Sequence, residues 1–136
     1  VIVLDASAVL EWLLRLPAAG PVEDRMARAA SLHAPHLLDL EVAQVLRRFE
    51  RAGTLDARRG GQALQDLADL PLERYPHDLF LPRIWSLRDN VTAYDGCYLA
   101  LAEALRAPLV TCDARLAGVP GHGAVVEVLG SGGGMA

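Results

Sequence analysis

The sequence contains no lysine; all 13 of its basic residues are arginines. A phosphoacceptor signalling domain needs an acidic pair, a central-strand aspartate and a lysine near its end, so that class fails its simplest requirement. The all-arginine usage is read as a bias of composition, although a guanidinium offers bidentate phosphate contacts that an ammonium does not. Cysteine is scarce too. Cys97 and Cys112 are the only two and match no zinc spacing, so two free, mostly buried thiols are expected rather than a disulfide. His33, His36, His77 and His122 show no clustering pattern, which disfavours histidine-based catalysis and a zinc site. No apolar stretch approaches the ~20 residues of a membrane helix. Asp5 and Glu11 interrupt the apolar opening Val1 to Leu4 before it can form a signal-peptide core. A cytoplasmic protein without membrane contact is therefore expected. Positive charge is also in short supply. A net charge of −4 argues against indiscriminate nucleic-acid binding, yet allows an acidic site with arginines on a separate surface.

What is present describes one folding unit. The chain has 136 residues, 52% hydrophobic and 22% charged, enough to bury a core and too apolar for disorder. Residues 1–129 read as a single domain with no dividing linker, and 130–136 as a flexible Gly-rich tail. Val1 to Leu4 is a β-branched, unbroken apolar run, the signature of a strand buried on both faces. Helix is expected over Ala8 to Leu16, Pro21 to Ala30, Asp39 to Ala52, Asp56 to Leu70, His77 to Arg88 and Ala93 to Ala107. Further strands are expected at Ser31 to Ala34, Leu72 to Tyr75, Leu109 to Cys112 and Ala124 to Leu129. Alternating strands and helices predict an α/β fold, with helices on both sides of a parallel sheet.

Two of those strands end alike. Val1-Ile2-Val3-Leu4 runs into Asp5, and Leu109-Val110-Thr111-Cys112 runs into Asp113. In an open parallel sheet, ligands bind in the crevice outside the carboxyl ends of the strands. Each aspartate has a plainer reading as a helix or turn cap. Glu41 and Asp95 both fall in the first turn of a helix, where a dipole interaction or a capping pair with Thr92 accounts for either one alone. Four carboxylates on one rim would crowd each other's ionisation, a conflict that a hard divalent cation with oxygen ligands resolves. One or two such ions lower the pKa of bound water and neutralise a phosphodiester under attack.

Four segments then carry a resemblance: Val3-Leu4-Asp5-Ala6-Ser7-Ala8, Leu40-Glu41-Val42, Thr92-Ala93-Tyr94-Asp95-Gly96-Cys97-Tyr98-Leu99-Ala100-Leu101-Ala102, and Thr111-Cys112-Asp113-Ala114-Arg115-Leu116. In order and spacing the chain resembles the PIN domain from Val1 to about Val128, and within it the VapC-type toxins of bacterial type II toxin–antitoxin pairs. The resemblance implies a three-layer α/β/α sandwich on a mostly parallel sheet. It also implies an endoribonuclease dependent on Mg²⁺ or Mn²⁺, in which activated water leaves a 5′-phosphate and a 3′-hydroxyl.

By the same resemblance Asp5, Glu41, Asp95 and Asp113 are the catalytic and metal-binding acids, with Ser7 and Thr111 as supporting hydroxyls. Asn90 is a candidate to touch RNA or metal-bound water, a plain turn residue being the simpler reading. Gly96 departs from the alanine expected after the third acid, which loosens the helix start without removing a ligand. The implied partners are RNA, a second copy of the chain and a cognate VapB-type antitoxin through which alone DNA is contacted. Arg15, Arg47, Arg48, Arg88 and Arg115 are the candidate phosphate contacts near the rim. Two rivals remain to be weighed. An aspartate-nucleophile phosphatase wants a second acid two residues after the first, where Ser7 stands. A non-catalytic PIN-like protein-interaction or RNA-binding module is the alternative that the four acids make less attractive.

Overall fold

The two acid-tipped strands become neighbours. In the computed structural model, which describes residues 1–130, β1 (Ile2–Leu4) and β4 (Leu109–Thr111) pair in parallel. Val3 lies opposite Leu109 and Leu4 opposite Val110. β2 (Leu32–Pro35) pairs with β1 on its other side, β3 (Leu72–Tyr75) with β2, and β5 (Val126–Val128) with β4. All five strands are parallel, in the order β3-β2-β1-β4-β5. Strand order reverses direction between β1 and β4, so the crevice beyond their carboxyl ends is the topological switch point of the sheet. Asp5 and Asp113 stand there.

Parallel strands need crossovers, and these supply the two outer layers. The connections β1 to β2 and β2 to β3 run through α1 (Ala6–Leu13), α2 (Ala19–Ala27), α3 (Leu37–Arg51) and α4 (Ala57–Asp69), which pack against one another on one face. The return from β3 to β4 passes through α5 (Leu81–Ser86) and α6 (Ala93–Leu105), with α6 lying against β1, β2 and β4. The three-layer sandwich is the expected one. α6 is buried from Gly96 through Ala102, the continuous apolar stretch of a helix enclosed by its neighbours. Val3, Leu4, Val9, Leu38, Val42, Leu99, Leu101, Leu109 and Val110 are wholly buried and form the common core.

Several boundaries shift for visible reasons. α1 begins at Ala6, two residues early, because the Asp5 side chain itself caps it by accepting the Ala8 N–H. It ends at Leu13, and Arg15 takes a left-handed conformation ahead of Pro17. The helix expected over His77 to Arg88 divides into a 3-10 turn (Asp78–Phe80) and the short α5, which has Pro82 in its first turn. α2 and α3 begin two residues earlier than expected, α6 stops at Leu105 with Arg106 left-handed, and β5 is trimmed to three residues. Asp56 caps α4 by accepting the Arg59 N–H, so the helix proper begins one residue later, at Ala57. Cys97 is buried and Cys112 half-buried, both free. Of the tail expected over 130–136, all but Gly130 lies outside the described residues. No described helix is long and apolar enough to cross a membrane.

Candidate active site

Asp5 is 6% exposed, a nearly dry position for a carboxylate, and is held by three donors. Oδ1 accepts the Ser7 hydroxyl at 2.7 Å and the Ala8 N–H at 3.0 Å; Oδ2 accepts the Thr111 hydroxyl. Thr111, fully buried at the end of β4, also accepts the Asp113 N–H at 2.9 Å. Ser7 accepts the Cys112 N–H at 2.9 Å and lies 3.1 Å from the Thr111 hydroxyl. The two hydroxyls thus join the ends of β1 and β4 and fix the rotamer of Asp5. Burial pushes the Asp5 carboxyl up; its hydrogen bonds to Thr111, Ser7 and Ala8 oppose this, and the nearby Asp113 charge adds to it.

Glu41, one turn into α3, stands over the same crevice. Its Oε1 accepts the hydroxyl of Tyr98 at 2.6 Å. Tyr98 lies in α6 three residues after Asp95, so the two share a helix face. Sequence reading missed this tyrosine, although that i, i+3 spacing is a signal that points to it. Burial raises the Glu41 carboxyl, the Tyr98 bond lowers it, and Asp95 and then Asp5 raise it further. Those two couplings bring Glu41 into the same cluster as the strand-end acid. The Tyr98 phenol is itself pushed far up, chiefly by burial and then by its bond to Glu41, so it stays a donor.

Asp95 and Asp113 share a cation. Arg115 closes a fork on Asp113, with Nη2 at 2.5 Å and Nε at 3.1 Å, and the same Nη2 lies 3.6 Å from Asp95. The hydrogen bond from Arg115 holds the Asp113 carboxyl below its ordinary value. Asp95 is instead raised, by burial first, with Arg115 opposing and Asp113 contributing. Thr92 caps α6 by accepting the Asp95 N–H. Both plainer readings of Asp5 and Asp113 as caps are therefore real, since Asp113 also accepts the Arg115 N–H. Capping here is how each acid is aimed and does not compete with a place in the cluster.

The remaining candidates divide. Asn90 lines the open cleft shared by Asp95 and Arg115, but its amide donates to the Pro120 carbonyl at 3.1 Å, so it braces that loop. Arg15 is paired with Glu23, and Arg88 lies over the Trp85 ring, 4.6 Å from its centre. Arg47 and Arg48 are exposed on α3 and form no ion pair among the described residues. His33 is buried between the hydroxyls of Ser31 and Tyr75, and His122 accepts the Ala124 N–H. Cys112, next to Asp113, has its thiol pushed up to about 12 by burial, with Glu11 and Asp5 adding, which makes it a poor nucleophile.

The donor chemistry suits a hard divalent cation. Asp5, Glu41, Asp95 and Asp113 offer carboxylate oxygens alone, and Asp5, Glu41 and Asp95 are each raised by a neighbouring acid. In the present rotamers no three His, Cys, Asp or Glu side chains among the described residues close on one point. Asp95 and Asp113 instead face a common guanidinium, that of Arg115.

A parallel sheet with acids gathered at its switch point defines a class of α/β protein whose candidate ligand site is acidic. The chain belongs to the PIN domain family, whose model matches residues 2–121. It is 40% identical to Ribonuclease VapC12 of Mycobacterium tuberculosis over 128 residues, covering 94% of this chain and 98% of that one. It is 47% identical to Ribonuclease VapC9 of the same organism over 115 residues, with 85% and 87% covered. Its fold is similar to VapBC2 from Rickettsia felis bound to a DNA fragment from their promoter (TM-score 0.69, 14% identity, 94% of this chain and 98% of that chain). PAE2754 from Pyrobaculum aerophilum is also similar (TM-score 0.64, 23% identity, 92% and 89%).

Proposed function

We propose that the chain is an endoribonuclease toxin of the VapC type, hydrolysing RNA phosphodiesters at the crevice formed by Asp5, Glu41, Asp95 and Asp113 with Mg²⁺ or Mn²⁺ bound. The observation that carries this reading is the joining of the two strand-end acids at the switch point. Ser7 and Thr111 connect Asp5 to the backbone of Cys112 and Asp113, with Glu41 and Asp95 electrically coupled to them. The relatives named as VapC ribonucleases, which span nearly the same length, support it.

Asp5 and Asp113, with Asp95 and Glu41 completing the set, are the residues that would hold the ion. A hard cation bound there supplies a lowered pKa for water and neutralises charge on the phosphoryl group. The chain's own residues do the positioning. Three donors fix Asp5, so its ligand geometry is set before anything binds. Tyr98 holds Glu41 by Oε1 and leaves Oε2 free. With that second oxygen unbonded, Glu41 can complete the ligand set or accept a proton from the attacking water. Arg115 pairs with both Asp95 and Asp113, so an ion held by those two acids would take the place of its guanidinium.

The same reading assigns the partners. A cognate VapB-type antitoxin covers the crevice, the chain pairs with a second copy, and DNA is reached only through the antitoxin. The similar fold of VapBC2 from Rickettsia felis supports the antitoxin assignment by analogy.

The test is purified chain, free of antitoxin, incubated with total RNA and Mg²⁺ or Mn²⁺, with cleavage ends mapped by sequencing. Discrete cuts bearing 5′-phosphates and 3′-hydroxyls are expected. Cuts ending in 2′,3′-cyclic phosphates would show a metal-free transesterification and reject this mechanism. Intact RNA despite verified folding and metal binding would favour a non-catalytic interaction module.

A further inference from the structure

Glu41 also lines a groove of about 300 Å³, running along α3 from Leu37 to Arg48, that the chemistry above does not use. Its floor is α3, where Glu41, Gln44, Val45 and Arg48 recur at helical spacing and so share one face. Its wall is Tyr94, the residue before Asp95. The features of this groove are unusual for a surface left to water. Leu40 is 72% exposed and Tyr94 61% exposed, so an aliphatic and an aromatic side chain stand open beside a candidate catalytic carboxylate. The Gln44 side chain is exposed and makes no hydrogen bond among the described residues, leaving an amide donor and acceptor free. Arg48 is exposed and without an ion pair among the described residues. It lies about 10 Å from Glu41 along the helix axis, at a rise of ~1.5 Å per residue.

We infer that this groove seats one nucleobase of the RNA beside the cleaved bond, stacked on Tyr94, with Arg48 on a neighbouring phosphate. The inference rests on the ribonuclease reading and adds a specificity subsite to it. Continuity selects the occupant. Glu41 is part of its lining, between Leu37 and Arg48 along α3, so whatever fills the groove adjoins the group held in the crevice. An exposed π-face stacks on any base, a free amide can bond a base edge, and an unpaired cation at the far end answers a phosphate. A peptide of the antitoxin would have use for the apolar side chains. It would leave Arg48 and Gln44 unanswered unless it happened to carry matching polar groups.

The experiment is binding of a fluorescently labelled single-stranded RNA oligonucleotide to the full chain carrying Asp5→Asn, so that nothing is cut, across a salt series. Tyr94→Ala should weaken binding by roughly 5- to 100-fold, the range for loss of one base–aromatic stack, whereas Tyr94→Phe should stay within about twofold. An abasic residue at the subsite position should reproduce that loss, and Tyr94→Ala should then cost nothing more. Arg48→Ala should reduce the slope of affinity against salt by about one counterion. If the wild-type chain cuts the same oligonucleotide with Mn²⁺ but Tyr94→Ala leaves its binding unchanged, the groove belongs to a protein partner and this inference alone fails. If Tyr94→Ala weakens intact and abasic oligonucleotides equally, the tyrosine is structural and the inference fails too. A wild-type chain that neither cuts nor binds the oligonucleotide overturns both readings.

Discussion

Tyr98 decides where Glu41 points. Without its hydroxyl the glutamate loses its one side-chain anchor in a site where small displacements are costly. Tyr98→Phe is predicted to lower RNA cleavage by roughly tenfold while costing no more than about 1.5 kcal/mol of stability. Cleavage assays and denaturant unfolding on the same sample check both halves; unchanged cleavage would show that Glu41 does not depend on this bond. Glu41 itself carries a pH signature. Its carboxyl is raised above the ordinary 4.5, chiefly by burial. The folded chain therefore binds that proton more tightly than the unfolded chain does, and the favourable contribution is lost as pH rises through the folded value. Glu41→Gln keeps an acceptor for Tyr98 and escapes the penalty. Metal-free, it should match wild type below pH 4.5 and become the more stable form above it, by less than about 1 kcal/mol for a half-exposed group. Unfolding curves in chelator at acidic and neutral pH check the sign, and a gain confined to acidic pH would contradict it.

The elements that aim these side chains end in ways the sequence shows unevenly. Asp56 before α4 and the apolar run of β1 are local signals: a cap followed by its helix, and a buried strand. Leu72 to Tyr75 was legible for the same reason, being bounded on either side by Pro71 and Pro76. The break between the Asp78–Phe80 turn and α5 was passed over, since the apolar spacing from His77 to Arg88 suits one helix, although Pro82 in the first turn of α5 is a local signal for a restart there. The end of α6 was only partly visible. Pro108 marks the junction, but Arg106 adopts φ 53°, a left-handed cap usually given to glycine, and its own side chain gives no sign of it. Arg106→Gly should relieve that conformation and raise stability by about 1 kcal/mol, or about 3–5 °C in midpoint, with cleavage unaffected. A lower midpoint, read by calorimetry, would mean the arginine contributes contacts that outweigh its backbone cost.

Across the whole molecule, topology gathers what the chain separates. Asp5 and Thr111 are 106 positions apart, and Glu41 and Tyr98 are 57 apart. Their meeting follows from β1 and β4 being neighbours at the switch point, with α3 and α6 on opposite faces carrying Glu41 and Asp95 to the same rim. The four acids were legible because two end matching strands and all four fall within motifs of one family. Arg115's grip on Asp113 and Asp95 was not, because the sequence offers it only as one of five candidate phosphate contacts near the rim, with nothing to single it out. The turn of Asn90 toward Pro120 is a loop contact for which the sequence holds no periodic signal. The same topology states the central claim in a form open to direct test. The rate of RNA cleavage should be measured in chelator and then as Mn²⁺ is restored stepwise, for wild type and Asp5→Asn side by side. The account predicts no cleavage in chelator, a saturable return of activity in wild type, and a loss of at least about a hundredfold in Asp5→Asn at every Mn²⁺ level. Cleavage that persists in chelator, or that Asp5→Asn retains in full, would contradict it.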